Sequence, residues 1–119
     1  MTVSAPRGMI TLFREGGREI AMAESLGQKQ RRFARAVPRL IDMVHTLGLE
    51  CTIGDVFRDP RAHGHAIDLN LFRNGRFLSS TSSHRELGEW WMAQGEDHEW
   101  GGDGRSDGNH YSFRYQGRW

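Results

Sequence analysis

A small set of side chains in the second half of the chain could bind a metal or move a proton: Arg58, His63, His65, Asp68, Asp107 and His110. Asp68 lies between Ile67 and Leu69, where an unpaired buried carboxylate would be costly, so it should face a cleft or a cation. Asp107 precedes His110 by three residues across a turn sequence, so both side chains could point at one spot. A metal held by histidine and aspartate, beside a free carboxylate, would activate water for hydrolysis.

A second interpretation of the same residues needs no metal. Asp107 and Gly108 would form a turn, His110 would be an edge residue of a strand, and Asp68 would pair with Arg58. Spacing alone favours this structural interpretation over the metal site.

The elements that must position these residues follow from hydrophobic periodicity. From Gln28 to Leu47 the apolar residues have helical spacing, Gly48 lies where a helix C-cap belongs, and Pro38 predicts a kink or a break into two helices. The arginines of this helix lie on its other side, and we interpret them as a solvated face rather than a nucleic-acid patch: Arg31, Arg32, Arg35 and Arg39.

Residues 51–57 are β-branched and aromatic enough for a strand, and residues 65–72 alternate as a strand does. Asn74–Gly75 predicts a hairpin turn into residues 76–78. Ser83, with Glu86 three residues later, predicts a capped helix that ends near Gly95. A loop rich in Gly and Asp then leads to a final strand over residues 110–115. This order predicts an α+β fold with a small antiparallel sheet and two or three helices.

Composition limits the class of protein. The 119 residues suit one compact domain, which we place at residues 28–119, after a loosely ordered leader at residues 1–27. The net charge of +1 argues against nucleic-acid binding, and we expect a monomer. The single cysteine excludes a Cys-rich zinc site. We find neither a membrane-spanning apolar stretch nor the apolar core of a signal peptide.

Three segments carry a resemblance to a known family: QKQRRFARAVPRLIDMVHTLGLECTIGDVFRDPR, AIDLNLFRNGRFLSSTSSHRELGEWW and WGGDGRSDGNHYSF. From about Gln28 to Arg118 the chain resembles the small phage-type M15 zinc peptidases, which act as D-alanyl-D-alanine carboxypeptidases or L-alanyl-D-glutamate endopeptidases. AIDLNLF together with WGG…DGNHYSF is the specific part of the match. The resemblance implies a fold of the hedgehog/D-Ala-D-Ala peptidase type and a Zn²⁺ cofactor.

The resemblance also implies roles for individual residues. Asp68 and His110 match zinc ligands, and Asp107 matches the carboxylate that moves the proton. Arg58 matches an arginine that holds the substrate carboxylate or the developing oxyanion. Trp100 would line the cleft beside the metal.

One position departs from the family pattern. The first zinc-binding histidine stands seven residues before the aspartate in the family, and here that position is Arg61. His63, which precedes a flexible Gly64, is our choice of substitute ligand. His65 should face away from Asp68 in a regular strand, and a chain without any substitute ligand is the third possibility.

The resemblance therefore implies a hydrolase, namely a zinc metallopeptidase that cuts peptidoglycan stem peptides as a phage or prophage endolysin. Such an enzyme would be made in the cytoplasm without a signal peptide and reach the bacterial cell wall after holin-mediated release. The alternative is a catalytically degenerate M15-like domain that binds the cell wall or another partner without cutting it, because the first zinc ligand is missing.

Overall fold

The computed structural model describes residues 9–15, 18–56 and 65–114, so Arg58, Arg61 and His63 lie outside the described residues. The elements, in chain order, are β1 (Met9–Glu15), β2 (Arg18–Ala23), α1 (Leu26–Thr46), β3 (Glu50–Val56), β4 (Ala66–Arg73), β5 (Arg76–Leu78), a 3₁₀ turn (Thr81–His84), α2 (Arg85–Ala93), β6 (His98–Trp100) and β7 (His110–Phe113). This arrangement confirms the predicted α+β fold with a small antiparallel sheet.

The main sheet has the strand order β3-β4-β7-β6, and its neighbouring strands are antiparallel. β4 is central because β3 pairs along one of its edges. Along the other edge, residues 66–68 pair with β7 and residues 71–73 pair with β5. The predicted turn between β4 and β5 is confirmed, with φ of 53° at Asn74 and 76° at Gly75. Both values suit a tight hairpin turn.

The core lies between one face of this sheet and the two helices. Ile67, Leu69 and Leu71 of β4 point into it and are at most 3% exposed. The residues between them, Asp68 and Asn70, are only half-buried and lie on the opposite face. The alternation predicted for β4 is thus confirmed. It gives the sheet an apolar face, which packs against the helices, and a more polar opposite face, which we call the open face.

Helix α1 begins at a capping box, in which the Ser25 side chain and backbone both bond with Gln28. Of the two outcomes predicted at Pro38, a kink or a break, the break is wrong, because α1 continues through Pro38 to Thr46. Pro38 and Ala34 are both exposed, so water can reach the carbonyl group that proline leaves without an N–H partner. Gly48 ends the helix with φ of 77°, as its position predicted. Among the described residues, no helix is both long and apolar enough to cross a membrane.

The predicted helix cap at Ser83 is wrong. Ser80 instead accepts a hydrogen bond from the Ser83 backbone at 3.2 Å and starts the 3₁₀ turn. α2 follows with His84 at its N-cap position and without a side-chain cap. Strand β6 was not predicted, because its three residues are too few to show a period.

Strands β1 and β2 form a separate two-stranded antiparallel sheet. They fall within the segment that we interpreted from sequence as a loosely ordered leader. Gly-Gly and scattered charges suggested a loop there, whereas the described residues on either side pair as a hairpin.

Candidate functional site

Asp68 and His110 meet on the open face of the sheet. They are direct partners in the β4–β7 register, and His110 Nδ1 lies 3.1 Å from Asp68 Oδ1. The side chains of Asp68 and His110 are 29% and 18% exposed, although the Nε2 atom of His110 is buried. The structure therefore brings together the two residues that the sequence singled out as zinc ligands.

A β-bulge in β3 lies beside Asp68. The β3–β4 register shifts between Ile53 and Val56, and Gly54 lies directly against Asp68. A Cβ atom at Gly54 would be 3.3 Å from Asp68 Cβ, which is a tight contact. A glycine here lets β3 approach the carboxylate closely without a side chain in the way.

The loop between β6 and β7 is closed by backbone hydrogen bonds. The Gly101 N–H donates to the His110 carbonyl at 2.9 Å, and the Asp107 N–H donates to the Gly101 carbonyl at 3.2 Å. The Leu69 N–H of β4 donates to the Asn109 carbonyl at 2.9 Å. These bonds tie Asp107 and His110 to each other and to the strand that carries Asp68.

Trp100 lies under this loop rather than at the surface of a cleft. Its side chain is buried, and its Nε1 donates to the Gly108 carbonyl at 2.6 Å. Gly88 and Gly102 pack on the indole so closely that a Cβ atom at either would overlap the ring. The expectation that Trp100 lines the cleft came from the resemblance, and the structure places the residue as a buried support of the loop instead.

Asp107 is exposed and lines a cleft of about 170 Å³. The opposite walls include Thr81 and Asn70, and Asn70 lies two residues from Asp68 on the same face of β4. The Gly108 N–H donates to Thr81 Oγ1 at 3.3 Å, which joins the loop to the 3₁₀ turn. The lining of this cleft includes Asn70 and Asn109, which are close in sequence to Asp68 and His110, but neither Asp68 nor His110 itself.

His84 belongs to the lining of this cleft and contacts Tyr111. Its Nδ1 is 2.8 Å from the Tyr111 hydroxyl, and its side chain is buried. Burial lowers the pKa of His84 to about 4 and raises the pKa of Tyr111 well above its usual value. Both groups are therefore neutral at pH 7. This pair could not be predicted from the sequence, because its two members are 27 residues apart.

The Asp68–His110 pair fits part of a zinc site. Metal–ligand distances of about 2.0–2.2 Å in a tetrahedral site separate two ligand atoms by roughly 3.3–3.6 Å. The 3.1 Å between Nδ1 and Oδ1 is a hydrogen-bond distance, so the two atoms would move apart slightly to hold a metal. Within residues 9–15, 18–56 and 65–114 there is no group of three or more His, Cys, Asp or Glu residues that could hold a metal. A third protein ligand would have to come from elsewhere in the chain.

The two candidate substitute ligands have different positions. His65 is 1% exposed, and its carbonyl accepts from the Phe113 N–H at 3.0 Å. It alternates with Ile67 and so lies on the core side of β4, away from Asp68. His63 lies outside the described residues.

An ionic cluster at the far edge of the sheet was missed by the sequence analysis. Arg32 donates to both oxygens of Glu24, at 2.8 and 2.7 Å, and also pairs with Asp97. Burial alone would raise the pKa of Asp97, but hydrogen bonds from His98 and Arg32 outweigh it and hold the pKa well below its usual range. Hydrogen bonding to Glu24 raises the pKa of Arg32 further. Arg32 is thus a half-buried structural residue, unlike the solvated face we predicted for all four arginines.

Comparisons of the chain with protein-family models, with curated proteins and with solved structures found no match.

Proposed function

We propose that this chain is a zinc-dependent peptidase that hydrolyses stem peptides of peptidoglycan, in the manner of a phage endolysin. The observation that carries this proposal is the contact of Asp68 with His110 at 3.1 Å on the accessible face of the sheet. These two residues are the ones that the resemblance to M15 peptidases identifies as ligands. A structural role for Asp68 alone would not require a histidine as its register partner.

In the proposed mechanism, Asp68 and His110 hold the metal together with a third ligand, for which His63 is our candidate. A zinc ion held by these residues would act as a Lewis acid, polarising a peptide carbonyl and making water a better nucleophile at neutral pH. Asp107 accepts the proton of the attacking water and returns it to the leaving amine. Its exposure and its place in the neighbouring cleft support this role. Arg58 holds the substrate carboxylate or the developing oxyanion in this proposal.

A second candidate is a domain that binds cell-wall peptides without cutting them. Arg61 stands where the family has its first zinc-binding histidine, and only two of the ligands that the resemblance implies meet in the part of the chain that the structure describes. The cleft beside Asp107 would still be available to a peptide in such a domain.

Zinc content separates these two candidates. We would strip the purified protein with a chelator, supply zinc, remove the excess and measure bound zinc by elemental analysis. The variants are His63→Ala, His65→Ala and His110→Ala, with Asp103→Ala as a control from the exposed part of the loop. The peptidase proposal predicts about one zinc per chain, lost in His110→Ala and His63→Ala and kept in the control.

Hydrolysis is then measured as new amine ends released from purified peptidoglycan. Release that depends on zinc and on His110 supports the peptidase. A wild-type chain that takes up no zinc and releases no amine ends, yet sediments with peptidoglycan, would contradict the peptidase and favour the binding domain.

A further inference from the structure

A second and larger cleft lies between the two helices. Its volume is about 380 Å³, within the range of small-molecule sites, and it is lined by α1, α2 and the buried ends of β6 and β7. Because the helices cover the core side of the sheet, the sheet separates this cleft from Asp68 and His110. It is therefore independent of the proposed peptidase site.

One wall of the cleft is basic. Arg32, Arg35 and Arg39 follow one another at intervals of three and four residues along α1, so they lie on one side of the helix. The charge of Arg32 is balanced by Glu24 and Asp97. Arg35 and Arg39 are exposed, and neither forms an ion pair with another residue in the described part of the chain. Two guanidinium groups at the mouth of the cleft are thus available to an anion.

The opposite wall and the floor are aromatic. Trp90 of α2 is half-buried at the wall, and the Trp91, His98 and Phe113 rings form the floor. The centroid of the His98 ring lies 4.4 Å from that of Trp91 and 4.5 Å from that of Phe113, so the floor is continuous. No carboxylate belongs to the described lining of the cleft. These floor rings are at most 8% exposed, and the Arg32 guanidinium lies over Phe113 at 4.3 Å. The half-buried Trp90 is therefore the accessible ring of a lining that combines positive charge with aromatic side chains.

We propose that this cleft binds a small ligand that carries an oxyanion, phosphate or carboxylate, on a planar ring. The oxyanion would lie between the guanidinium groups of Arg35 and Arg39, whose planar donors match the geometry of both anions. The ring would pack against Trp90, as aromatic groups do in mostly apolar pockets. A small molecule suits a cleft of about 380 Å³ better than a nucleic acid, which needs an extended basic surface.

The test measures binding of phenyl phosphate and benzoate to the full chain by calorimetry. Inorganic phosphate, which lacks the ring, and phenol, which lacks the charge, are tested in parallel. The key variant is the double substitution Arg35→Gln/Arg39→Gln. Its matched control is Arg31→Gln/Arg76→Gln, which removes the same charge from exposed positions outside the cleft lining. All four arginines are exposed, so circular dichroism should show both variants folded.

We expect saturable binding of phenyl phosphate or benzoate, at least about tenfold weaker in Arg35→Gln/Arg39→Gln and unchanged in the control, because the double variant loses both charged hydrogen-bond donors to the oxyanion. The tighter of the two probes identifies the preferred oxyanion. Phosphate alone and phenol alone should bind more weakly than either probe.

Three results would overturn the proposal. The first is no saturable binding of either aromatic anion, and the second is equal weakening in both double variants. The third is tight binding of a duplex oligonucleotide while the aromatic anions do not bind. In that case, both double variants would reduce the salt dependence of oligonucleotide binding equally. That last outcome would identify a nucleic-acid surface on α1 instead of a small-molecule cleft.

Discussion

His110 Nδ1 lies 3.1 Å from Asp68 Oδ1, although the two residues are 42 positions apart in the chain. Their contact depends on the β4–β7 register, in which Asp68 and His110 are opposite each other. A shift of that register by one residue would move one of them to the core side of the sheet. The loop that precedes His110 therefore matters for this contact, because its backbone hydrogen bonds hold the start of β7 in register with β4.

Asparagine substitutions distinguish metal binding from proton transfer at this site. Asp68→Asn keeps the shape of the side chain but removes its charge, so we expect loss of bound zinc. Asp107→Asn should keep the zinc and lower kcat by about 10²–10⁴-fold, because only the proton carrier is removed. Zinc content and amine release are measured on both variants. Asp103→Asn, from the same exposed loop, should behave as wild type. Loss of zinc in Asp107→Asn would mean that Asp107 is a ligand rather than the proton carrier.

Gly101→Ala should disrupt the loop that carries Asp107 and His110. An added Cβ would overlap the Asp107 carbonyl oxygen and lie 2.9 Å from His110 Cβ. We expect a loss of about 3 kcal/mol in the free energy of unfolding, measured by urea denaturation, together with loss of zinc binding.

The control for that substitution is Gly104→Ala in the same loop. Gly104 has φ of 75° but no atom within 4 Å of an added Cβ, so only backbone strain of about 1–2 kcal/mol is expected. Zinc binding should survive in Gly104→Ala. Equal zinc affinity in the two variants would show that the tight approach of Gly101 does not position His110.

Arg32→Leu should destabilise the fold because Glu24 and Asp97 lose the guanidinium group that they share, although Lys29, at 3.6 Å, still pairs with Asp97. The Glu24 and Asp97 side chains are 2% and 8% exposed, and we expect a loss of about 3 kcal/mol in unfolding free energy at pH 7. Arg35→Leu removes an exposed arginine one turn away and should cost less than about 0.5 kcal/mol.

The cost of Arg32→Leu should also depend on pH. The pKa of Asp97 is lower in the folded chain than in the unfolded chain, so its contribution is complete above its ordinary pKa near 4 and is lost as pH falls below that. Denaturation of the wild type and of Arg32→Leu at several values between pH 7 and pH 3 should show that the difference between their free energies of unfolding becomes smaller as the pH falls. A constant difference across this range would mean that Arg32 acts through packing on Phe113, whose ring centroid lies 4.3 Å away, rather than through its charge.

His84 should make the fold less stable in mild acid. Its pKa falls from 6.5 to about 4 on folding, so the unfolded chain binds the proton more tightly. Protonation of His84 leaves the free energy of unfolding unaffected above pH 6.5. As the pH falls from 6.5 towards 4, it lowers that free energy by about 3 kcal/mol in total.

The variant His84→Gln should therefore show a flatter dependence of unfolding free energy on pH between 6.5 and 4. His45→Gln, at an exposed position of α1, is the control and should retain the wild-type slope. An unchanged slope in His84→Gln would mean that His84 takes up its proton without leaving the Tyr111 contact.

Local sequence determined most of the secondary structure. The alternation of residues 66–72 predicted β4, Asn74–Gly75 predicted its hairpin turn, and Gly48 marked the end of α1. Each is a short-range preference of the backbone or of one apolar face, so neighbouring residues suffice to reveal it. Strand β6 escaped prediction because three residues are too few to show a period, and the Ser80 cap escaped it because several neighbouring serines have the same capping preference.

The candidate site was determined only in part by the sequence. Residue types and the family resemblance singled out Asp68 and His110, but only the pairing of β4 with β7 decided that they touch. Likewise, only packing decided that Trp100 is buried between two glycines and that Arg32 joins Glu24 to Asp97. Contacts between residues far apart in the chain depend on strand order and register, which the whole core selects and no single segment encodes.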